Sequence, residues 1–204
     1  MLDNIKINCH SSIKISKEKT IYIDPFKIEK ENHDADIIFI THDHYDHYSP
    51  EDIQKIENEN TIIVAPKTVK ALSKMKNVFF VEPNNTYEIE GIKVETIPSY
   101  NINKKFHLKE NEWVGYILEI NNIRYYIAGD TDVTDENKQV KCDVALIPVG
   151  GTYTMDYIEA AELANIIKPK IVIPTHYGSI VRNKNDGVEF KKLVNSDIRC
   201  EIMI

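Results

Sequence analysis

The chain has 204 residues, 42% of them hydrophobic and 28% charged, with 32 acidic against 25 basic side chains and a net charge of −7. That length allows a sizeable core in one domain without disulfide staples, and no apolar run approaches the roughly 18 residues of a membrane span. A net-acidic chain with only three arginines makes a poor general nucleic-acid binder, and residues 1–10 lack the apolar core of a signal peptide. Cys9, Cys142 and Cys200 fit neither a zinc knuckle nor a redox pair. They read as reduced thiols of a cytoplasmic protein.

In chain order, the alternation of Ile5, Ile7 and Cys9, then Ile13 and Ile15, then Ile21 and Ile23 predicts three strands, the last ended by Asp24-Pro25. Asp36 to Ile40 is a continuous apolar run, as in a strand buried on both faces. Ser49 as N-cap, Pro50 at the first helical position and Glu51 and Asp52 in the first turn predict a helix. A strand at 61–65 and a second helix at 66–76 follow. Strands are then expected at 78–81, 87–89, 92–97, 114–120 and 123–128, with Asn121-Asn122 as a tight hairpin turn between the last two. Val144 to Val149 is another strand. Thr154 is the expected cap of a helix carrying Ala160, Leu163, Ala164 and Ile167, stopped by Lys168-Pro169. A strand at 171–173, a helix near 189–194 and a strand near 198–203 close the chain. No linker divides it, so a single domain over 1–204 is expected. Two apolar strands, at 37–40 and 171–174, each deliver a Thr-His pair, Thr41-His42 and Thr175-His176.

Three of the seven histidines lie in Thr41-His42-Asp43-His44-Tyr45-Asp46-His47. Neutral imidazoles and carboxylates suit borderline divalent metals. In an extended segment His42 and His44 point the same way, while Asp46 and His47 come from the turn into the helix at Ser49 and can face a second ion. Two ions about 3.5–4 Å apart are usual in hydrolytic pairs.

A His-x-His-x-Asp-His run after a buried strand resembles the signature of the metallo-β-lactamase superfamily. Asp24 in Tyr-Ile-Asp-Pro-Phe, Gly129-Asp130-Thr131 after a strand, His176 after a later strand, and the stretch from Ile147 to Met155 are similar to its small UlaG-like members. The resemblance implies an α+β fold, a four-layer αβ/βα sandwich. It implies Asp130 as a bridging ligand and His176 as the last His ligand, giving the metal set His42, His44, Asp46, His47, Asp130 and His176 for two divalent ions (Zn or Mn, or else Fe or Ni). The implied chemistry is hydrolysis by a metal-held hydroxide at an ester, lactone or phosphodiester bond of a small anionic substrate, with Asp46 and Asp130 orienting the nucleophile. His10, Asp24 and Asp132 are candidates for orienting ligands. Flavodiiron chemistry is set aside because that branch carries Glu where this chain has His44. Glyoxalase II-like and cleavage-factor-type activities need further domains.

The pattern breaks once. The superfamily usually supplies another His after the strand ending here at Ile97-Pro98, where this chain reads Ser99-Tyr100-Asn101. Asn101 could ligate through its carbonyl. His107, in a loop with Lys104, Lys105 and Lys109, could instead fold back as a ligand, act on substrate as an acid, or lie exposed. One position would then be short of a nitrogen, so unequal metal affinities are expected, and a non-catalytic metal-binding module is the alternative reading. Expected partners are a small-molecule substrate, with neither nucleic acid nor membrane. A homo-oligomer is compatible with the sequence.

Overall fold

In the computed structural model, which describes residues 2–204, the chain folds as two units, one ending at Val81 and one beginning at Glu82. The first unit starts with the three alternating strands, β1 (Ile5–Cys9), β2 (Ser12–Ser16) and β3 (Thr20–Ile23), an antiparallel meander. Alternation places Ile13, Ile15, Ile21 and Ile23 on one face, almost completely buried. The continuous apolar run becomes β4 (Ile37–Phe39), which with β5 (Ile62–Pro66) and β6 (Val78–Val81) extends the sheet in parallel from β3. The order is β1-β2-β3-β4-β5-β6.

Helix α1 (Pro50–Ile56) starts where expected. Ser49 Oγ accepts the Asp52 N–H at 3.3 Å, and Glu51 and Asp52 sit in the first turn. Its apolar residues Ile53 and Ile56 pack with Ile38, Ile40, Ile63 and Leu72; burying each contributes about 1.5–3 kcal/mol. The helix expected at 66–76 is only a 3₁₀ turn over Lys70–Lys74. Leu72 is its buried residue, three positions after the buried N-cap Val69, a spacing that matches a three-residue period. No side chain caps its start.

The second unit repeats the plan. β7 (Thr86–Ile89), β8 (Ile92–Pro98), β9 (Val114–Ile120) and β10 (Ile123–Ile127) form an antiparallel meander. The Asn121-Asn122 turn has φ of 51° and 59°, the double left-handed conformation that a two-residue hairpin requires and Asn tolerates. Parallel strands β11 (Val144–Pro148), β12 (Ile171–Thr175) and β13 (Arg199–Cys200) continue from β10. The order is β13-β12-β11-β10-β9-β8-β7.

The helix expected after Thr154 is α2 (Tyr157–Ile167), and Asp156 caps it instead. Asp156 Oδ1 accepts the N–H groups of Ile158 and Glu159 at 2.9 Å, while Glu159 accepts that of Asp156 at 3.0 Å. This reciprocal box outcompetes an isolated threonine. Ala160, Leu163, Ala164 and Ile167 face the core, and Lys168 ends the helix in a left-handed conformation. Helix α3 (Asn185–Leu193) begins earlier than expected, and the last strand is only two residues long.

Among the described residues, none of Cys9, Cys142 and Cys200 is in a disulfide. Burial pushes the Cys142 thiol up to about 12 and that of Cys200 to about 11, which makes both poor nucleophiles. Among the described residues, no helix is long and apolar enough to cross a membrane.

One ion pair on the second sheet gives a pH signature. Arg124 donates to both oxygens of Glu95, at 2.8 and 3.1 Å, and holds that carboxyl down at about 2. A depressed carboxyl stabilises the fold above its unfolded value near ~4.3 and loses that contribution as pH falls towards 2. Glu95→Gln is expected to cost about 1 kcal/mol at pH 7, allowing for solvent screening, and progressively less between pH 4.5 and 2. Urea unfolding at several pH values measures this; a gap that stayed constant with pH would refute it.

Candidate metal centre

The candidate ligands leave the carboxyl ends of parallel strands, the usual place for a site in an open sheet. In the first unit, β3 delivers Asp24 and β4 delivers Thr41-His42. The chain then turns, with His47 and Tyr48 N–H groups donating to the His44 carbonyl. Asp43 and Tyr45 face outward, while His42, Asp46 and His47 are buried. Donor atoms of His10, Asp46 and His47 lie within 4.8 Å of one another, and so do those of His42 and His44. His10 Nε2 is 3.2 Å from Asp46 Oδ2, and His47 Nε2 is 3.7 Å from the same oxygen.

Asp24 fixes the direction of these rings. It accepts the Thr41 N–H at 2.8 Å, the Thr41 hydroxyl at 2.7 Å and the His47 Nδ1–H at 2.7 Å. Because the single Thr41 hydroxyl proton goes to Asp24, Thr41 Oγ1 can only accept from His42 Nδ1, 2.9 Å away. Both imidazoles therefore carry the proton on Nδ1 and keep the Nε2 lone pair, the form that ligates a metal. Burial pushes the Asp24 carboxyl up from its ordinary value, against the pull of His47 and of these hydrogen bonds.

In the second unit, β10 runs through Ala128-Gly129 to Asp130, and β12 delivers His176. One carboxylate oxygen, Asp130 Oδ2, lies 3.0 Å from His176 Nε2 and 3.3 Å from His107 Nε2. All three side chains are buried. Ser99 Oγ donates to the carbonyls of Ala128 and Asp130 and pins the strand end. The His176 ring packs on Gly150, where a Cβ would collide with the His176 carbonyl and stand 2.9 Å from its Nδ1.

The loop from Asn101 to His107 folds inward. Asn101 Oδ1 accepts the His107 N–H at 3.1 Å and its Nδ1–H at 3.2 Å, and Asn101 N–H donates to the His107 carbonyl at 2.7 Å. Its amide nitrogen donates to Asp132 Oδ1 and to the Tyr153 carbonyl. The Asn101 carbonyl thus faces His107, which removes it as a metal ligand. Asn101 instead sets the His107 tautomer, leaving Nε2 free of its proton, and Trp113 backs the ring at 5.4 Å. The lysines of this loop are largely engaged: Lys104 bonds Asp132 at 2.5 Å and Lys109 bonds Glu136 at 2.8 Å. Asp132 also accepts the Ile102 N–H, so it braces the loop rather than touching a ligand.

His10, Asp24 and His176 all have left-handed backbones, with φ of 58°, 47° and 58°. Such conformations cost of order 1–3 kcal/mol in a non-glycine residue and persist where the surroundings overdetermine them. The donor set fits a borderline divalent ion: buried imidazoles with exposed lone pairs and buried carboxylates.

Residues 4–176 match the beta-lactamase superfamily domain. The chain is 30% identical to a UPF0173 metal-dependent hydrolase of Thermococcus onnurineus, over 96% of this chain and 92% of that one. It is 31% identical to another from Thermoplasma acidophilum, over 96% and 93%. A solved structure from Parabacteroides distasonis, described as a candidate metal-dependent hydrolase, superposes with a TM-score of 0.84 at 33% identity, covering 97% of this chain and 91% of that one. The chain belongs to the metallo-β-lactamase superfamily, with the α+β sandwich fold class of its small members.

Proposed function

We propose that the chain is a metal-dependent hydrolase that uses two divalent ions. His42, His44, Asp46 and His47 of the first unit, with His10 against Asp46, and His107, Asp130 and His176 of the second, with Asp130 shared between His107 and His176, are the candidate ligands. The observation that carries this reading is the single Asp130 oxygen placed beside two imidazole Nε2 atoms, at 3.0 and 3.3 Å, as a bridging carboxylate needs. Of the three readings of His107, this geometry favours the ligand, in the place of the superfamily His where this chain has Asn101. The non-catalytic alternative had its best support in that gap, and the test below decides between the two.

When bound, the ions supply Lewis-acid polarisation of a carbonyl or phosphoryl oxygen and lower the pKa of water towards ~7. The chain does the rest. Asp24 and Thr41 hold His47 and His42 in the ligating tautomer, Asn101 does so for His107, and Asp46 and Asp130 orient the attacking water. The reaction class is hydrolysis of an ester, lactone or phosphodiester bond in a small substrate, with Zn or Mn as metal. Three thiols outside any disulfide suit a reducing, cytoplasmic setting. The test is hydrolysis of p-nitrophenyl acetate, a γ-lactone and bis-p-nitrophenyl phosphate by metal-free protein before and after loading with Zn²⁺ or Mn²⁺. Metal-dependent turnover of any one supports the proposal; absence of metal uptake, or uptake without turnover of all three, overturns it.

With His107 counted, the ground for unequal affinities leaves the intact chain and passes to a variant. His107→Ala is expected to bind one ion tightly and the second at least about 10-fold more weakly. Two equally tight ions in the variant, by calorimetric titration, would return His107 to a loop role.

A further inference from the structure

Beside His176 the second unit carries a guanidinium that the hydrolytic machinery does not use. Arg182 is exposed, and among the described residues no carboxylate pairs with it. Its backbone is left-handed, with φ of 57°, and its side chain lies on the backbone of Gly151. A Cβ added at Gly151 would stand 2.5 Å from Nη2, 2.8 Å from Nε and 3.0 Å from Cζ. A side chain at Gly151 would displace the guanidinium from this position, next to the Gly150 that backs His176.

The turn under it is rigid. Gly151 N–H donates to the Met155 carbonyl at 2.9 Å, and Thr154 N–H to the Gly151 carbonyl at 2.8 Å. Met155 N–H ties the turn to Thr131, the neighbour of Asp130, at 3.1 Å. The same turn presents Tyr153, whose ring meets Phe106 edge-on at 4.6 Å. Both rings are exposed, 37% and 46%, although they flank the buried His107. An apolar pair left in solvent at the mouth of a site is what a ligand's apolar body would cover. Lys104 and Lys109 are held by carboxylates, which leaves Arg182 and the exposed Lys105 as the cations of this rim, and of the two only Arg182 lies against the turn that carries Tyr153.

We propose that Arg182 and the Phe106–Tyr153 pair form the substrate-recognition rim, Arg182 holding an oxyanion (a carboxylate or a phosphate) of a molecule whose flat apolar body lies on the two rings. A planar fork suits either oxyanion through two parallel hydrogen bonds. This rests on the hydrolase reading for its meaning but not for its test, which measures binding rather than turnover.

The experiment titrates metal-free and Zn²⁺-loaded protein with phenyl phosphate, phenylacetate and neutral phenylacetamide by calorimetry. Metal-free wild type is expected to prefer one or both anions over the amide by roughly 10-fold, and the stronger anion identifies the group. Arg182→Gln is expected to remove that preference. Arg182→Gly, which suits the left-handed backbone, controls for folding and should remove it equally without lowering Tm. Phe106→Ala should weaken all three ligands and leave the preference intact. An anion preference equal in wild type and both Arg182 variants, or one that appears only with Zn²⁺, would overturn the proposal. Failure of the hydrolase reading would show separately, as absence of Zn²⁺ uptake.

Discussion

Asp130→Ala is expected to abolish metal-dependent turnover, by well over the ~100-fold typical of losing an orienting neighbour. It should also lower the bound metal from two ions towards one or none. The reasoning is geometric. A single oxygen stands next to His107 and His176, so its removal takes a ligand from both proposed positions at once. Asp130→Asn keeps the volume and one oxygen but not the charge, and is expected to retain the fold while losing most of the affinity. Metal analysis of the purified variants and their rates on the three generic substrates read this directly. Turnover of Asp130→Ala within ~10-fold of wild type would remove the bridging role.

The second large effect is expected at Asp24, which touches no proposed ion. Asp24→Ala leaves the Thr41 N–H and hydroxyl and the His47 Nδ1–H without their buried acceptor. Breaking such a network by removing one partner costs on the order of 3–5 kcal/mol. Asp24→Asn separates packing from chemistry. It fills the same space, but its amide NH₂ facing His47 Nδ1 favours the opposite tautomer and puts the proton on Nε2, where the metal should bind. A folded Asp24→Asn protein with metal affinity reduced about 10–100-fold is the expected result. Wild-type affinity in that variant, measured by competition with a chelator, would show that Asp24 does not set the tautomer.

The fold was legible wherever a local pattern had one solution. Period-two isoleucines built β1 to β3, Asn121-Asn122 built its hairpin, and Ser49-Pro50 started α1. It was less legible where two local signals competed. Thr154 and Asp156 both offer a cap, and the choice falls to the one with Glu159 three residues on. Residues 66–76 read as an α-helix because a 3₁₀ turn and a short helix share the i, i+3 spacing. At the site, the dense run from His42 to His47 stood out because its residues are neighbours in sequence. His107 stayed open between ligand, acid and exposed loop residue, because its position depends on a loop closed by Asn101, a residue weighed only as a ligand. The signal that could have narrowed the choice is chemical: an Asn near a missing His can seat another imidazole as well as replace one.

The half-antiparallel, half-parallel build of each sheet also bears on the order in which the molecule assembles. The meanders β1-β2-β3 and β7-β8-β9-β10 pair residues close in sequence, so closing them costs little chain entropy. The parallel strands β4, β11 and β12 join through longer excursions and are intrinsically slower to pair. Asp130 follows the last strand of its meander, whereas its neighbour His176 follows β12, which joins in parallel. The two are expected to mature at different times along folding, so that a divalent cation present early would meet the carboxylate before that imidazole arrives. Refolding rates in the presence and absence of Zn²⁺ would reveal whether the ion waits for the finished sheets or traps an unfinished one.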